Sequence, residues 1–523
     1  MPPHTPRQGL TSESSEKFLL GIDQGAGSLK ATVINGNGVV LGEGARVVDT
    51  HRPQPGWSEQ NPGQWYEALC QAVPQALREA NLPAEQLTGI GLSAGAHIPV
   101  LLDAAGEVVR PAIMWSDQRS AAEAQALHER AGEMIIARSM NRANPTWALA
   151  MLSWLQVHEP ETISRTHRLC LAKDYLRLRL TGSWATDFSD VVGALMADLQ
   201  THRWSPQICA LLDWPIETLP PVGRPTDLAG QVSEQAARET TLAAGTPVVI
   251  GAIDTTVELL AAGAARPGQG TIKLASAGVL SVVVDRPTVH PPVSCYPHLD
   301  ESLFYTATGT NTCASAHRWL RDLLFDTTES DNKASFEHMD ALAAQIPPGS
   351  DGLLFHPYLQ GERAPHWDTQ LRADFVGITM SHSRAHFCRA AYEGIAFSIR
   401  DLLESSRHTG QAPCSARLIG GGARSNLWAQ IISDVTGLQV EVPNHGDASY
   451  GAALVAGIGC GVFASPAHAV ERCVGIVRKH DPSPELQAFY SECFQIYSET
   501  REALTAIDHK LHALQESRRA MCP

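Results

Sequence analysis

Nowhere in this chain do about eighteen apolar residues run together, the length a membrane-spanning helix needs, so none is expected. None of the eleven cysteines forms a C-x-x-C pair, and the count is odd. That argues against a disulfide framework or a zinc knuckle and points to reduced thiols in a cytoplasmic protein. Basic clusters are also missing. The largest are pairs such as Arg177/Arg179 and Arg518-Arg519, within a formal net charge of -15. A nucleic-acid partner is therefore not expected, because such binding needs a concentrated positive face. The first sixteen residues lack the apolar stretch of a signal peptide and are expected to form a mobile tail.

What is present is ordinary globular composition, with 44% hydrophobic and 18% charged residues over 523 positions. That length exceeds one typical core and suggests two domains of about 250 residues each. The opening pattern is legible: strands over 18–23, 29–34 and 39–48, a tight-turn signal at Asn35–Gly38, a helix beginning at Pro62, and another strand over 87–93. Hairpin strands, then a helix, then a strand define an α/β organisation with a mixed sheet. Residues 121–200 are expected to be mostly helical. The stretch "TPVVIGAID" (246–254) is a β-branched strand ending in Asp, and the domain change is placed near it. The second half repeats the grammar: strand, small-residue turn and strand over 270–284, a strand at 303–309, then strand–loop–helix twice between 417 and 459. A duplicated fold facing a cleft follows from that order.

Several short stretches can carry chemistry, each with a plainer alternative. In "GIDQGAGSLKAT" (21–32), Gly25 and Gly27 allow close backbone approach and an anion nest, and Asp23 can hold Mg²⁺ through water. The same letters also spell a plain hairpin. Asp254 emerges from an apolar strand, which suits a general base, although Asp also caps helices routinely. "LIGGGARSNLW" (418–428) places three glycines between a strand and a helix, a flat surface for a planar base beside an anion-friendly helix start, or simply close packing. His97 can hydrogen-bond a polyol. Asp117 and Arg119, beside Trp115, suit a sugar face or a surface ion pair. His382 and His386 stand at helical spacing without a third ligand nearby, so no zinc site is inferred.

Together and in this order, these stretches resemble the FGGY carbohydrate kinases, and within them the xylulose-kinase group. The segments that carry the likeness are "GIDQGAGSLKA", "GWSEQNPGQW", "VVRPAIMWSDQR", "LAKDYLRLRLTGSWATDFSD", "PYLQGERAPHWD" and "LIGGGARSNLW", over about residues 17–503. The resemblance implies two actin-like, RNase H-type domains around a central cleft, with Mg-ATP on one side and sugar on the other. It divides the chain into a tail (1–16), an N-terminal sugar-side domain (17–250), a C-terminal ATP-side domain (251–480) and a helical segment with a tail (481–523). By matching position, Asp254 is the base and Asp23 lies near Mg²⁺ and the phosphates. Gly25, Ala26, Gly27 and Ser28 form one phosphate hairpin, and Ser276, Ala277 and Gly278 the other. Gly420, Gly421, Gly422, Ala423, Arg424 and Ser425 border the adenosine. The sugar side takes Ala96, His97, Asp254, Thr255, Trp57, Asp117 and Arg119.

Three departures from the family pattern stand out. Ala26 replaces a threonine in the first hairpin. The second reads "LASAG" where L-G-T-S-G is usual. In the sugar pocket, "AGAH" (94–97) replaces G-Q-M-H, and Thr255 replaces an asparagine. The expected activity is ATP-dependent phosphorylation of a small sugar, a ketopentose such as xylulose. The alternatives are ribulose, a tetrulose or a sugar alcohol, or a non-catalytic ATP- and sugar-binding sensor. A homodimer is compatible with the sequence, which marks no interface for it.

Overall fold

The structure is a computed structural model and describes residues 16–287, 293–325 and 332–521. The expected N-terminal tail therefore lies, but for Glu16, outside the described residues. Phe18–Gln24, Ser28–Asn35 and Val40–Val47 form an antiparallel meander. Leu87–Ala94 then joins the first of these in parallel, Pro247–Val249 adds in parallel, and Leu228–Gln231 closes the edge antiparallel. The second sheet repeats the plan. Gln269–Leu274, Gly278–Val284 and Phe304–Thr310 form the meander. Ser415–Ile419 and Gln439–Pro443 follow in parallel, and Ile476–His480 closes antiparallel. Two sheets of one topology are the actin-like duplication that the repeated sequence grammar implied.

Register then places the chemistry. Asp23 pairs with Ser93 and Gln24 with Ala94. Ala252–Ile253 pairs with the same Ser93–Ala94 end. The first hairpin, the turn leading to His97, and Asp254 thus leave one sheet at one level. In the second sheet Lys273 pairs with Ile419, so the second hairpin and the Gly420–Gly422 run also emerge side by side. Ligands bind beyond the carboxyl ends of parallel strands for this reason.

The expected single strand over 246–254 is instead broken. Gly251 has φ +83°, and a Cβ there would meet Leu92 O at 2.1 Å. The chain kinks, pairs again at Ala252–Ile253, and Asp254 begins the helix Asp254–Ala262.

The halves are joined by a seam of small residues. Helix Ala448–Gly459, encoded in the second half, lies across the first sheet. A Cβ on Gly21 would meet Ser449 O at 1.8 Å, and one on Gly91 would meet Ala452 O at 2.0 Å. Helix Asp254–Ala262 crosses the same helix at Gly451, where a Cβ would meet Val257 O at 2.1 Å. Polar pins fix the crossing: Lys30 to Asp447 (2.8 Å), Thr32 to Ser449 (2.7 Å), and the Tyr450 hydroxyl donating to Gly38 O (2.9 Å). A mostly helical lobe inserted between the Leu87–Ala94 and Pro247–Val249 strands packs around Trp147, Leu152 and Trp204, in a core that also takes in Val283, Tyr296 and Tyr305 of the second half.

Gly91→Ala and Gly451→Ala are each expected to lower unfolding stability by about 1–3 kcal/mol through overpacking. Gly27→Ala, with open space around its Cβ direction, should leave the urea midpoint unchanged.

Candidate active site

The cleft centre is a cluster of carboxylates against one lysine. Lys273 Nζ lies 2.6 Å from Glu258 Oε1. The Asp23 carboxyl is pushed up to about 8 by burial and by the negative charges of Asp254 and Glu258. Its Oδ1 is buried without a partner. Burial also raises Glu258, to about 7, and Asp254, with Lys273 opposing both shifts. Asp254 sits in the first turn of its helix but does not cap it. The cap position is Ile253, and the Asp254 carboxylate accepts from the next backbone N–H, that of Thr255 (2.7 Å).

From Asp254 an aromatic ladder leads to His97. The Thr255 and Thr256 hydroxyls meet the Tyr305 hydroxyl at 2.8 and 3.0 Å. Tyr305 stacks on Tyr296 (5.5 Å between ring centroids), Tyr296 on Trp147 (5.8 Å), and Trp147 on His97 (5.2 Å). His97 holds φ +55°, a conformation that costs a non-glycine residue energy. Burial lowers its imidazole to about 3, so it is neutral, and Nδ1 has no partner. The neighbouring Gly95 lies against the Trp115 indole, 3.4 Å from where its Cβ would stand.

The "KDYLRLRLTG" and "ATDFSD" stretches explain what fixes both ends of this ladder. Lys173, fully buried, reaches Asp174 (2.8 Å), Asp187 (2.9 Å) and Asp190 (3.0 Å). Arg177 adds a second buried cation on Asp174 (3.0 Å) and donates to Ile250 O (2.7 Å). Asp190 Oδ1 accepts the His97 backbone N–H (3.0 Å). Asp187 accepts from Ser189, whose hydroxyl oxygen in turn accepts the Ile253 N–H (3.4 Å) immediately before Asp254. One ammonium thus braces the strained His97 turn and the turn into Asp254.

The structure brings Asp23, Asp254, Thr255, Ala96 and His97 to one cleft. Asp117 and Arg119 play a different part from a surface pair: both are buried. Arg119 bridges Asp117 (2.8 Å) and Glu59 (2.7 Å) and lies 3.7 Å over the Trp57 ring, while Asp117 accepts the Ser58 N–H (2.6 Å). They hold the Trp57 segment in shape.

In the first hairpin, Gly25 N–H donates to Ser28 O (3.0 Å), and the Ala26 and Gly27 carbonyls are tied back to Gln60 and Val48, leaving Ala26, Gly27 and Ser28 exposed at the tip. The second hairpin is anchored through Ser276 O, which accepts from Cys313 N–H (2.9 Å) and the Ser315 hydroxyl (2.7 Å); the Ser276 side chain is exposed, with Ala277 and Gly278 beside it. Gly420 has φ +86° and abuts Leu274 O, while Gly421 is open. Gly422 and Ala423 are buried, Arg424 is exposed, and Ser425 caps the next helix at Trp428 N–H (3.0 Å).

Lys273, Glu258, Trp147, Tyr296, Tyr305 and Lys173 were not singled out by sequence reasoning. Nor was Arg363 of "PYLQGERAPHWD", whose Nη2 lies 2.9 Å from the Cβ position of Gly309 at the second hairpin's base and whose Nε is buried without a partner. The two motifs without a generic fold reason were the available signal for Lys173 and Arg363. His386 caps its helix and meets Asp351 (3.1 Å). No cluster of three or more His, Cys, Asp or Glu side chains among the described residues is arranged to hold a metal.

Two duplicated sheets, paired glycine-bearing hairpins and a carboxylate cluster between them make an actin-like fold with a charged cleft. Comparison with known proteins gives the family. Residues 18–261 match the N-terminal domain, and residues 276–460 the C-terminal domain, of the FGGY family of carbohydrate kinases. The chain belongs to that family and is an enzyme that phosphorylates a carbohydrate. A xylulose kinase of Bacillus subtilis is 30% identical over 498 residues, covering 94% of this chain and 99% of the relative. A gluconokinase of the same species is 26% identical, covering 92% and 94%. The crystal structure of a xylulose kinase from Rhodospirillum rubrum superposes with a TM-score of 0.84 at 30% identity, covering 94% of this chain and all of that one.

Lys173→Met should cost about 3–5 kcal/mol of stability, because three buried carboxylates lose their shared cation. A shift in denaturant midpoint reads it directly.

Proposed function

We propose that this chain transfers the γ-phosphoryl group of ATP to a hydroxyl of a small ketose, of the xylulose type, with Asp254 as the general base. The observation that supports this most is the convergence, from one sheet level, of Asp23, Asp254 and the neutral His97, facing the second hairpin with Lys273. Phosphoryl transfer through a loose transition state asks the protein mainly for positioning and charge stabilisation. Backbone N–H groups of the two hairpins would cradle the phosphates, with Ser28 and Ser276 supplying hydroxyls. The flat Gly420–Gly422 run would take the adenosine, with Ala423, Arg424 and Ser425 at its border. His97 Nδ1, unpartnered and uncharged, suits a sugar hydroxyl.

Mg²⁺ fits this site. Asp23 has a buried oxygen without a partner, and burial, reinforced by two neighbouring carboxylates, raises its carboxyl to about 8. A divalent cation held by Asp23, through water, and by the nucleotide phosphates would supply the missing positive charge. Bound there, it neutralises charge on the phosphates. Asp254 needs only to accept the hydroxyl proton late in the transfer. It acts ionised, so kcat/KM should fall as pH drops through its pKa, which burial places above the ordinary carboxylate range.

The sugar pocket favours a second ketose or a sugar alcohol as a competing substrate. Ala96 offers a small wall, and the Thr255 hydroxyl is already engaged by Tyr305. A relative that is a gluconokinase shows how far acceptors vary on this architecture.

A coupled ATP-consumption assay over ketopentoses, tetruloses and sugar alcohols tests the reading. The expected result is turnover with one ketose and a phosphorylated sugar as product. Nucleotide and sugar binding without product would make the protein a sensor instead. Ala26→Thr, which places a hydroxyl at an exposed hairpin tip, should lower the KM for ATP roughly three- to tenfold, as one added hydrogen bond of about 1 kcal/mol net allows, and leave the KM for sugar unchanged.

A further inference from the structure

Lys273 is engaged by Glu258 (2.6 Å), but the guanidinium of Arg363 has no carboxylate partner among the described residues. Its Nε is buried without a hydrogen bond, and Nη2 makes one long bond, to Thr310 O (3.4 Å). Buried charged donors left without acceptors are costly, and a ligand that supplies acceptors recovers the cost.

The segment that carries Arg363 is held from several sides. The Glu362 carboxylate accepts the N–H groups of Asn311 and Arg363 (2.7 Å each) and the Thr310 hydroxyl. The backbones of Glu362 and Asp368 bond reciprocally, at 2.7 and 3.0 Å. His366 Nε2 lies 3.2 Å from Asp401, and His509 Nε2 lies 2.6 Å from Asp368. Glu362 is thus spent on the end of strand Phe304–Thr310 and on the backbone, not on the guanidinium beside it.

The guanidinium borders the reacting groups on two sides. Nη2 lies 2.9 Å from the Cβ position of Gly309, and Gly278 O is equally close to that position, so the absence of a side chain at 309 makes room for it at the base of the second hairpin. Its other neighbour is Tyr296, in the ladder between Asp254 and His97. That phenol is raised chiefly by burial, and Asp254 and Arg363 act on it in opposite senses.

We propose that Arg363 is a catalytic residue whose guanidinium donates to the oxygens of the γ-phosphoryl group as it passes from ATP to the sugar. The assignment rests on the kinase reading above. In that step the sugar hydroxyl oxygen bonds to the γ-phosphorus while the bond from that phosphorus to the β,γ-bridging oxygen breaks. The bridging electron pair leaves with ADP, and the hydroxyl proton passes to Asp254. A planar fork of N–H donors matches phosphate oxygens in a way that a lysine point charge does not. Such a fork stabilises charge on the oxygens of the transferring group.

Steady-state kinetics with the best acceptor of the sugar panel, paired with calorimetric titration of ADP and Mg²⁺ with and without fluoroaluminate, is the test. Arg363→Met is expected to lower kcat on the order of a hundred- to a thousandfold, as loss of one preorganised donor does. The KM for sugar and the Kd for ADP should stay within about threefold, because the contact belongs to the transition state. Fluoroaluminate, which mimics the transferring phosphoryl, should tighten ADP binding in the wild type and not in Arg363→Met. Arg363→Lys should keep roughly a tenth of the wild-type kcat. If Arg363→Met does not fold by circular dichroism, Arg363→Lys, which retains the buried charge, decides by the same readings. Unchanged kcat, a rise in the KM for sugar alone, or loss of ADP affinity in step with kcat would each overturn the assignment. A wild type that makes no phosphorylated sugar would instead overturn the kinase reading, and the role of Arg363 with it.

Discussion

The constraint on which the structure rests is backbone contact between the two halves. Helix Ala448–Gly459 belongs by sequence to the second half and by packing to the first sheet, and it can lie there only because Gly21 and Gly91 have no side chains. At Gly451 the helix that begins with Asp254 crosses it just as closely. These two helices are the junction across which the hairpins face each other. A Cβ at Gly21 or Gly91 would force helix Ala448–Gly459 off the first sheet, and one at Gly451 would force the two helices apart. The polar pins at Lys30, Thr32 and Tyr450 give direction to a contact that apolar packing alone would leave free to slide.

The same closeness sets the electrostatics. Asp23 comes from the first sheet, Asp254 and Glu258 from the crossing helix, and Lys273 from the second sheet. Three carboxylates crowd one ammonium: burial raises Asp23, Asp254 and Glu258, and neighbouring negative charges add to the rise of Asp23 and Glu258. At the His97 end of the cleft the logic is inverted. The charge is consumed in a buried hub of Lys173, Arg177 and three aspartates, and what reaches the pocket is a neutral imidazole and aromatic faces. The charged hub sets geometry, and the uncharged surface faces the cleft.

Much of this was legible in the sequence, for reasons that can be named. The meander strands, the Pro62 helix and the glycine-bearing turns follow local rules of alternation and turn chemistry, and the duplication follows from their repetition. The break at Gly251 was not legible, because it depends on the approach of Leu92, which is distant in sequence. Asp117 and Arg119 looked like a surface pair or a sugar contact. Their burial depends on Glu59, Trp57 and Trp154 arriving from other segments. Lys173 could not be assigned because only folding brings Asp187 and Asp190 to it, and the Trp147–Tyr296–Tyr305 ladder because its rings come from both sides of the domain change.

The most direct test of the central claim separates base catalysis from binding at Asp254. Calorimetric titration of the sugar should give Asp254→Asn an affinity within about threefold of wild type, while sugar-dependent turnover falls on the order of a thousandfold, as loss of a general base predicts. Full turnover in Asp254→Asn would contradict the account, and so would a loss confined to sugar affinity.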